Sequence, residues 1–196
     1  MRTTLRTTAV AVRAMVVFTL LLGVAYMLLI TAVGQVALPF QANGSLIKTA
    51  DGQVSGSQLI GQSFTDADGN ALPQYFQSRP SAAGNGYDST ASSGSNWGPE
   101  NEDLIAAIEE RKTASVELDG SGQIPADALT ASASGLDPDI SVANAERQVA
   151  RVAEARGLSA SEVESLVSAH TIPRDLGYLG DPRVNVVELN RALDAL

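Results

Sequence analysis

The sequence contains no cysteine. That excludes a disulfide framework and any thiolate-held metal site, and it leaves the compartment open. Histidine is nearly absent too, with His170 the single one. A hydrolase triad would have to use it. His170 follows Leu166 by four residues and Val163 by seven, on the apolar side of a helix pattern, which suits a structural histidine near a helix end. The Gly-x-Ser-x-Gly turn of common serine hydrolases does not occur. Lysine appears twice, as Lys48 and Lys112, and neither follows a glycine, which excludes a P-loop.

Charge is missing from a long stretch near the start. No charged residue occurs from Ala14 to Ile47. Its most apolar part, "MVVFTLLLGVAYMLLITAVGQV", runs for 22 residues from Met15 to Val36. At about 1.5 Å per residue this length crosses the roughly 30 Å hydrocarbon core of a bilayer. No polar stripe interrupts it, so the expectation is a transmembrane helix over 15–37. A cleaved signal peptide is the alternative, but its apolar run is normally about 7–15 residues. Thr19, Gly23, Met27, Ile30 and Gly34 fall near one stripe, which either lets another helix approach closely or faces lipid.

Cationic residues are scarce after that helix. Arg2, Arg6 and Arg13 precede it, and all 22 acidic residues follow it. Ten basic residues also follow, so residues 38–196 carry a net −12. Positive residues stay cytoplasmic. The expected topology is therefore a cytoplasmic N-terminus over 1–14, a single-pass helix over 15–37 in the cell membrane, and an extracytoplasmic domain over 38–196. So acidic a domain argues against nucleic acid as a partner. An acidic surface attracts cations; it also simply keeps a domain soluble.

The outer chain reads as a mixture of helices and short strands. "SLIK" (Ser45–Lys48) suits a strand, and "DADGN" (Asp66–Asn70) is a turn. That turn lacks the glycine and glutamate of a calcium loop at the required positions. "VSGSQ" (Val54–Gln58) matches part of the signature sequence of ABC transporter ATPases, a match of small residues that chance readily produces. A helix is expected from near Pro99, with Glu100, Glu102 and Asp103 at its positive end and Arg111 and Lys112 at its negative end. "ALTASASG" (Ala128–Gly135) is expected as a strand despite poor propensity. Val142, Ala145, Val149 and Val152 predict a helix over 142–156, stopped by Gly157. Ser159 and Glu162 form a capping-box pattern for a third helix reaching His170, and Asn185 with Glu188 signals a last one. The fold class expected is α/β or α+β, with several helices and a small sheet near the N-terminal half.

"SRPSAAGNGYDSTASSGSNWGPENE" (Ser78–Glu102) has a linker's composition, yet carries Arg79, Tyr87, Asp88 and the single tryptophan, Trp97. Its motifs, Arg79–Ala82, Tyr87-Asp88, Ser93–Asn96 and Gly98-Pro99, stand in order with "LTASASGLDPDIS" and "HTIPRDLGYLGDPRVNVVELN". Together they resemble the C-subunit family of the Kdp potassium-transporting ATPases, over nearly the whole chain. Trp97, Glu100, Ala133, Asp139 and Asp181 depart from that family's usual residues.

The resemblance implies a non-catalytic subunit of an ATP-driven, high-affinity potassium uptake pump. Its partners would be a channel-like potassium-selecting subunit, a P-type ATPase subunit and a small single-helix subunit, all in the membrane. It would hold the complex together, with its outer domain near the potassium entry. It would also raise the ATP affinity of the ATPase subunit as a catalytic chaperone. ATP belongs to the complex, and no cofactor or metal is assigned to this chain. The topology read from charge sets the folded part apart from cytoplasmic ATP, so ATP binding rests on the resemblance alone. An anchored hydrolase using His170, or a free-standing binding module, are the alternatives. On this reading Ser78–Glu102 is ordered, tied down by Arg79, Tyr87, Asp88 and Asn96, with Arg183 and Asn185 in similar roles or touching a partner subunit.

Overall fold

The computed structural model describes residues 2–49 and 51–196. The chain divides into two units, one ending at Val54 and the other spanning Ser55–Leu196. Met1 and Ala50 lie outside the described residues.

The first unit is dominated by one helix. It runs as α1 (Arg2–Phe18), a π-helical stretch (Thr19–Tyr26) and α2 (Met27–Ala37) without a break. The part from Thr3 to Ala37 is long and apolar enough to cross a membrane. Helix therefore begins well before Met15. Thr7 and Thr8 hydroxyls donate to the carbonyls of Thr3 and Thr4, one turn back. The π stretch opens the turn to i→i+5, so the α-helical count behind the Thr19–Gly34 stripe does not apply across it. Thr19 and Gly23 stay neighbours: a β-carbon on Gly23 would lie 3.9 Å from Thr19 Cγ2. Leu38 closes α2, a short α3 (Pro39–Ala42) follows, and β1 (Leu46–Lys48) lies where "SLIK" predicts a strand.

The second unit opens with β2 (Val54–Ser57), which starts at the division, and then a long irregular segment. The Asp66–Asn70 turn forms as expected. Asp66 Oδ1 accepts from Asp68 N and Asn70 N, and Gly69 takes a φ of 87°. These bonds, led by Asn70, hold the Asp66 carboxyl below its usual range.

Helix α4 (Glu102–Asp119) starts later and ends later than the sequence suggests. Asn101, not Pro99, sets its start, because the Asn101 Oδ1 accepts from the free amides of Asp103 and Leu104. It continues past Lys112 because no breaker occurs before Gly120, whose φ is 83°. A short α5 (Ala126–Leu129) and a loop replace the strand expected over 128–135. Ser132 and Ser134 hydroxyls accept from Gly135 N and Leu136 N, diverting backbone groups from any ladder.

Strand β3 (Asp139–Ser141) leads directly into α6 (Val142–Arg156), with Gly157 in the left-handed region at its end. Helix α7 (Ala160–Ala169) carries the full Ser159–Glu162 capping box, and His170 caps its other end. Strands β4 (Thr171–Ile172) and β5 (Arg183–Asn185) follow, then α8 (Val186–Leu193). The sheet order is β3-β5-β4 and both ladders are antiparallel, with Ile140 opposite Val184 and Thr171 opposite Val184. The fold of this unit is thus α+β. A small two-stranded sheet of β1 and β2 does form near the N-terminal half, as expected, and the larger, three-stranded sheet is built from the C-terminal half.

The core lies between this sheet and the helices. Ala145, Val149 and Val152 of α6 meet Val163 and Val167 of α7 and Leu189 and Leu193 of α8, with Ile140 and Val184 from the sheet. Phe76, from the irregular segment, is fully buried among them. Burying side chains of this size stabilises by about 1.5–3 kcal/mol each.

Candidate functional site

Two of the residues flagged in the Gly/Ser-rich segment, Arg79 and Tyr87, converge on the turn before β3. Arg79 Nη1 meets Asp137 Oδ2 at 3.0 Å, and Arg79 Nη2 donates to Thr130 O at 3.4 Å. The Tyr87 hydroxyl donates to Arg79 O at 2.9 Å and lies 3.3 Å from Asp137 O. Burial, reinforced by the Asp137 charge, pushes the Tyr87 phenol up to about 12.

Tyr87 reaches this position through a strained backbone, with a φ of 57°. Its amide donates to Ser81 Oγ at 3.0 Å, and the Ser81 hydroxyl donates to Gly135 O at 2.6 Å. Gly61 completes the packing. A β-carbon there would lie 2.5 Å from Tyr87 Cε1 and 2.6 Å from Asp137 O.

Asp88 and Asn96 stay outside this cluster. Asp88 Oδ1 accepts from Thr90 N at 2.8 Å and from its hydroxyl at 2.7 Å, and these bonds hold the exposed carboxyl below its usual range. Asn96, at a φ of 55°, donates to Gly94 O at 3.1 Å. Both bonds organise the segment locally. Ser92 ties it further, donating to Ser134 O at 2.9 Å.

Arg183 and Asn185 enter from β5. Arg183 Nε meets Asp139 Oδ2 at 3.0 Å across the β3–β5 ladder. Asn185 lies opposite Asp139 and caps α8, its Oδ1 accepting from Glu188 N at 3.1 Å. Its Nδ2 donates to Gln58 O at 2.9 Å, while the Gln58 side chain donates to Glu188. The local capping pattern flagged Asn185; its tie to Gln58 lies 127 residues back and has no local signal.

Asp137 is the member that sequence reasoning passed over, and Asp139 enters it only as a departure from the family's usual residue. They flank Pro138, and the alternating acids in "LDPDIS" are the one trace of them in the sequence. Arg79, Asp127, Asp137, Asp139, Asp181 and Arg183 line a cavity of about 340 Å³. Two buried polar atoms of these residues, Arg79 Nε and Asp139 Oδ1, have no hydrogen-bond partner among the described residues. Desolvation raises the Asp139 carboxyl above its usual range, against the pull of Arg183 and with repulsion from Asp137. Asp127 is held by Ser141 N at 2.8 Å and Asn144 Nδ2 at 3.1 Å, which fixes the start of α6.

His170 lies apart from this site. Its Nδ1 sits 2.9 Å from the Leu166 carbonyl oxygen, which only accepts, so Nδ1 carries the hydrogen. The ring thereby closes the end of α7.

An apolar helix long enough to cross a bilayer, joined to an α+β unit with a surface built from arginine–aspartate pairs, defines a membrane-anchored domain protein. Comparison with known proteins narrows this to a family. The model of KdpC, the c chain of the K⁺-transporting ATPase, matches residues 8–195. The chain belongs to the KdpC family, subunits of potassium-transporting ATPases, as its motifs imply. A protein of Caulobacter vibrioides (strain NA1000 / CB15N) named potassium-transporting ATPase KdpC subunit is 56% identical over 186 residues, 94% of this chain and 91% of the relative. One of the same name from Gemmatimonas aurantiaca is 58% identical over 180 residues, 90% of this chain and 86% of the relative. Another from Mycobacterium tuberculosis (strain ATCC 25618 / H37Rv) is 51% identical over 189 residues, 95% and 96%.

Proposed function

We propose that this chain is a non-catalytic subunit that stabilises the assembly of a potassium-transporting ATPase. The observation that carries the reading is the family match, which spans both the apolar helix and the α+β unit. The site's geometry agrees. Its charged groups hold one another, Arg79 with Asp137 and Arg183 with Asp139. Such pairing makes a fixed surface that suits recognition better than turnover.

The partners in this reading are a channel-like potassium-selecting subunit, a P-type ATPase subunit and a small single-helix subunit. Arg6 and Arg13 before the span and the net −12 after it favour a cytoplasmic N-terminus and an extracytoplasmic domain. Any rise in ATP affinity of the ATPase subunit is then exerted through subunit contact. The arginines of the cavity are already engaged by aspartates, which leaves them poorly placed to take phosphates.

The test is a detergent pull-down of the tagged chain from its native membrane after growth on scarce potassium. Stoichiometric recovery of a P-type ATPase subunit and a channel-like subunit is expected. Recovery of the chain alone, under conditions that keep other membrane complexes intact, would overturn the reading.

A further inference from the structure

The sheet order β3-β5-β4 makes β3 an edge strand. An edge strand presents a row of backbone N–H and C=O groups on which another chain can build. In an antiparallel pair, alternate residues turn these groups toward the neighbour and away from it. Val186 N donates to Pro138 O at 2.9 Å, and Ile140 lies opposite Val184, so residues 138 and 140 face β5. Asp139 and Ser141 therefore face outward.

Their outward amides are already taken. Asp139 N donates to Asp137 Oδ1 at 3.0 Å, and Ser141 N donates to Asp127 Oδ2 at 2.8 Å. Both carboxylates are themselves held in place. Asp137 Oδ2 meets Arg79 Nη1 at 3.0 Å. Asp127 Oδ1 accepts from Ser141 Oγ at 2.9 Å, and its Oδ2 accepts from Asn144 Nδ2 at 3.1 Å. One carboxylate comes from the turn before β3 and the other from α5. They take the places that carbonyls of a fourth strand would take. Two of the four aspartates in the cavity thus have a task that needs no ligand. The opposite edge is protected more simply: β4 has two residues, and Pro173, which has no amide hydrogen, follows it.

The chain that fits the β3 edge is a second copy. An antiparallel edge is complementary to itself across a two-fold axis. A chain held by an apolar helix long enough to cross a membrane shares one plane with its copies, which concentrates them. The net −12 of residues 38–196 opposes close approach, but at physiological ionic strength its reach is only about 8 Å. We propose that Asp127 and Asp137 form an edge guard, which closes β3 to strand pairing with a second copy by occupying its two outward amides.

The first measurement needs no variant. Residue-resolved hydrogen exchange of the full chain in detergent should find the Asp139 and Ser141 amides within about tenfold of Ile140, whose amide faces β5. Exchange of either at the rate of a free edge amide overturns the proposal. Asp137→Ala removes one acceptor, whereas Asp137→Asn removes the charge and keeps an oxygen. In the alanine variant the Asp139 amide should exchange about tenfold or more faster, with Ser141 unchanged; in the asparagine variant both should stay slow. Self-association is then read by light scattering at physiological salt. Asp127→Ala combined with Asp137→Ala should lower the dimer dissociation constant about tenfold below wild type, and the two outward amides should slow again as dimer forms. The corresponding double asparagine variant should match wild type. If the double alanine chain unfolds, Asp137→Ala with Arg79→Met carries the same association test without a stranded cation. A folded alanine variant that associates no more than wild type overturns the guard. So does association that leaves the β3 amides fast, or association that the asparagine variant shows equally.

Discussion

Asn190 holds both backbone groups of Phe76. Its Oδ1 accepts from Phe76 N at 2.8 Å, and its Nδ2 donates to Phe76 O at 2.9 Å. The next residue is gripped the same way: Gln148 Oε1 accepts from Gln77 N at 2.7 Å, and its Nε2 donates to Gln77 O at 3.2 Å. Two amide side chains, from α8 and α6, thus replace the neighbouring strand that an extended segment in a sheet would have. Asn190→Ala leaves two buried backbone groups unpaired, each costing about 1–3 kcal/mol. We expect a loss of about 2–4 kcal/mol, read from unfolding of the purified chain in detergent. A loss within experimental error would show that this grip does not hold Phe76 in the core.

The far end of α4 depends on a buried ion pair. Arg151 Nε and Asp119 Oδ1 lie 2.7 Å apart, with side chains 8% and 7% exposed. No apolar residue of α4 is buried, so polar clamps anchor it. Arg147 adds one, bonding Ser115 O at 3.2 Å. Asp119→Ala strands the Arg151 charge, at a cost of about 3 kcal/mol. Hydrogen exchange over 102–119 should accelerate more than exchange in α6. Equal protection in variant and wild type would contradict this.

Tyr87 gives the site a pH signature. Its folded-state value of about 12 exceeds the ordinary 10.0, so the native chain keeps the proton longer than the unfolded chain. The resulting stability is fully present below pH 10 and is lost as pH rises through 12. Tyr87→Phe has no such proton, and it should cost about 1 kcal/mol at neutral pH. The gap between wild type and variant should narrow over that alkaline window in thermal unfolding scans. A constant gap would show that the phenol titrates alike in both states.

Gly61 should tolerate no side chain. A β-carbon would press on the Tyr87 ring and on the Asp137 carbonyl, the latter a backbone atom that does not yield cheaply. Gly61→Ala should destabilise by about 1–3 kcal/mol. It should also lower the Tyr87 titration midpoint as water enters. An unchanged midpoint would mean that the ring does not sit against this glycine.

What the sequence made legible were features written within a few residues of each other. The Ser159–Glu162 box, the Asn185 cap, the Gly157 stop and the Asp66–Asn70 turn each rest on one local pattern, and each is found. The uncharged run marked the long helix equally plainly, but an unbroken apolar stretch has no period that would reveal its π register. Pro99 suggests the start of α4, but the Asn101 side chain caps it and sets it slightly later. A strand is expected over 128–135, whereas the Ser132 and Ser134 hydroxyls bind local backbone. Arg79, Tyr87 and Arg183 could be singled out, but not their partners. Arg79 finds Asp137 58 residues on, and Gln77 finds Gln148 71 residues on. Pairings at such separation are set by the packing of α6, α8 and the sheet, which no local pattern contains.

The most direct test of the central claim is reconstitution of the potassium-transporting complex with and without this chain. The measured quantity is potassium-stimulated ATP hydrolysis in proteoliposomes of otherwise identical subunit content. We predict that omitting the chain abolishes stimulation and scatters the remaining subunits on size exclusion, and that adding it back restores both. Full stimulation from an intact complex lacking the chain would contradict the account.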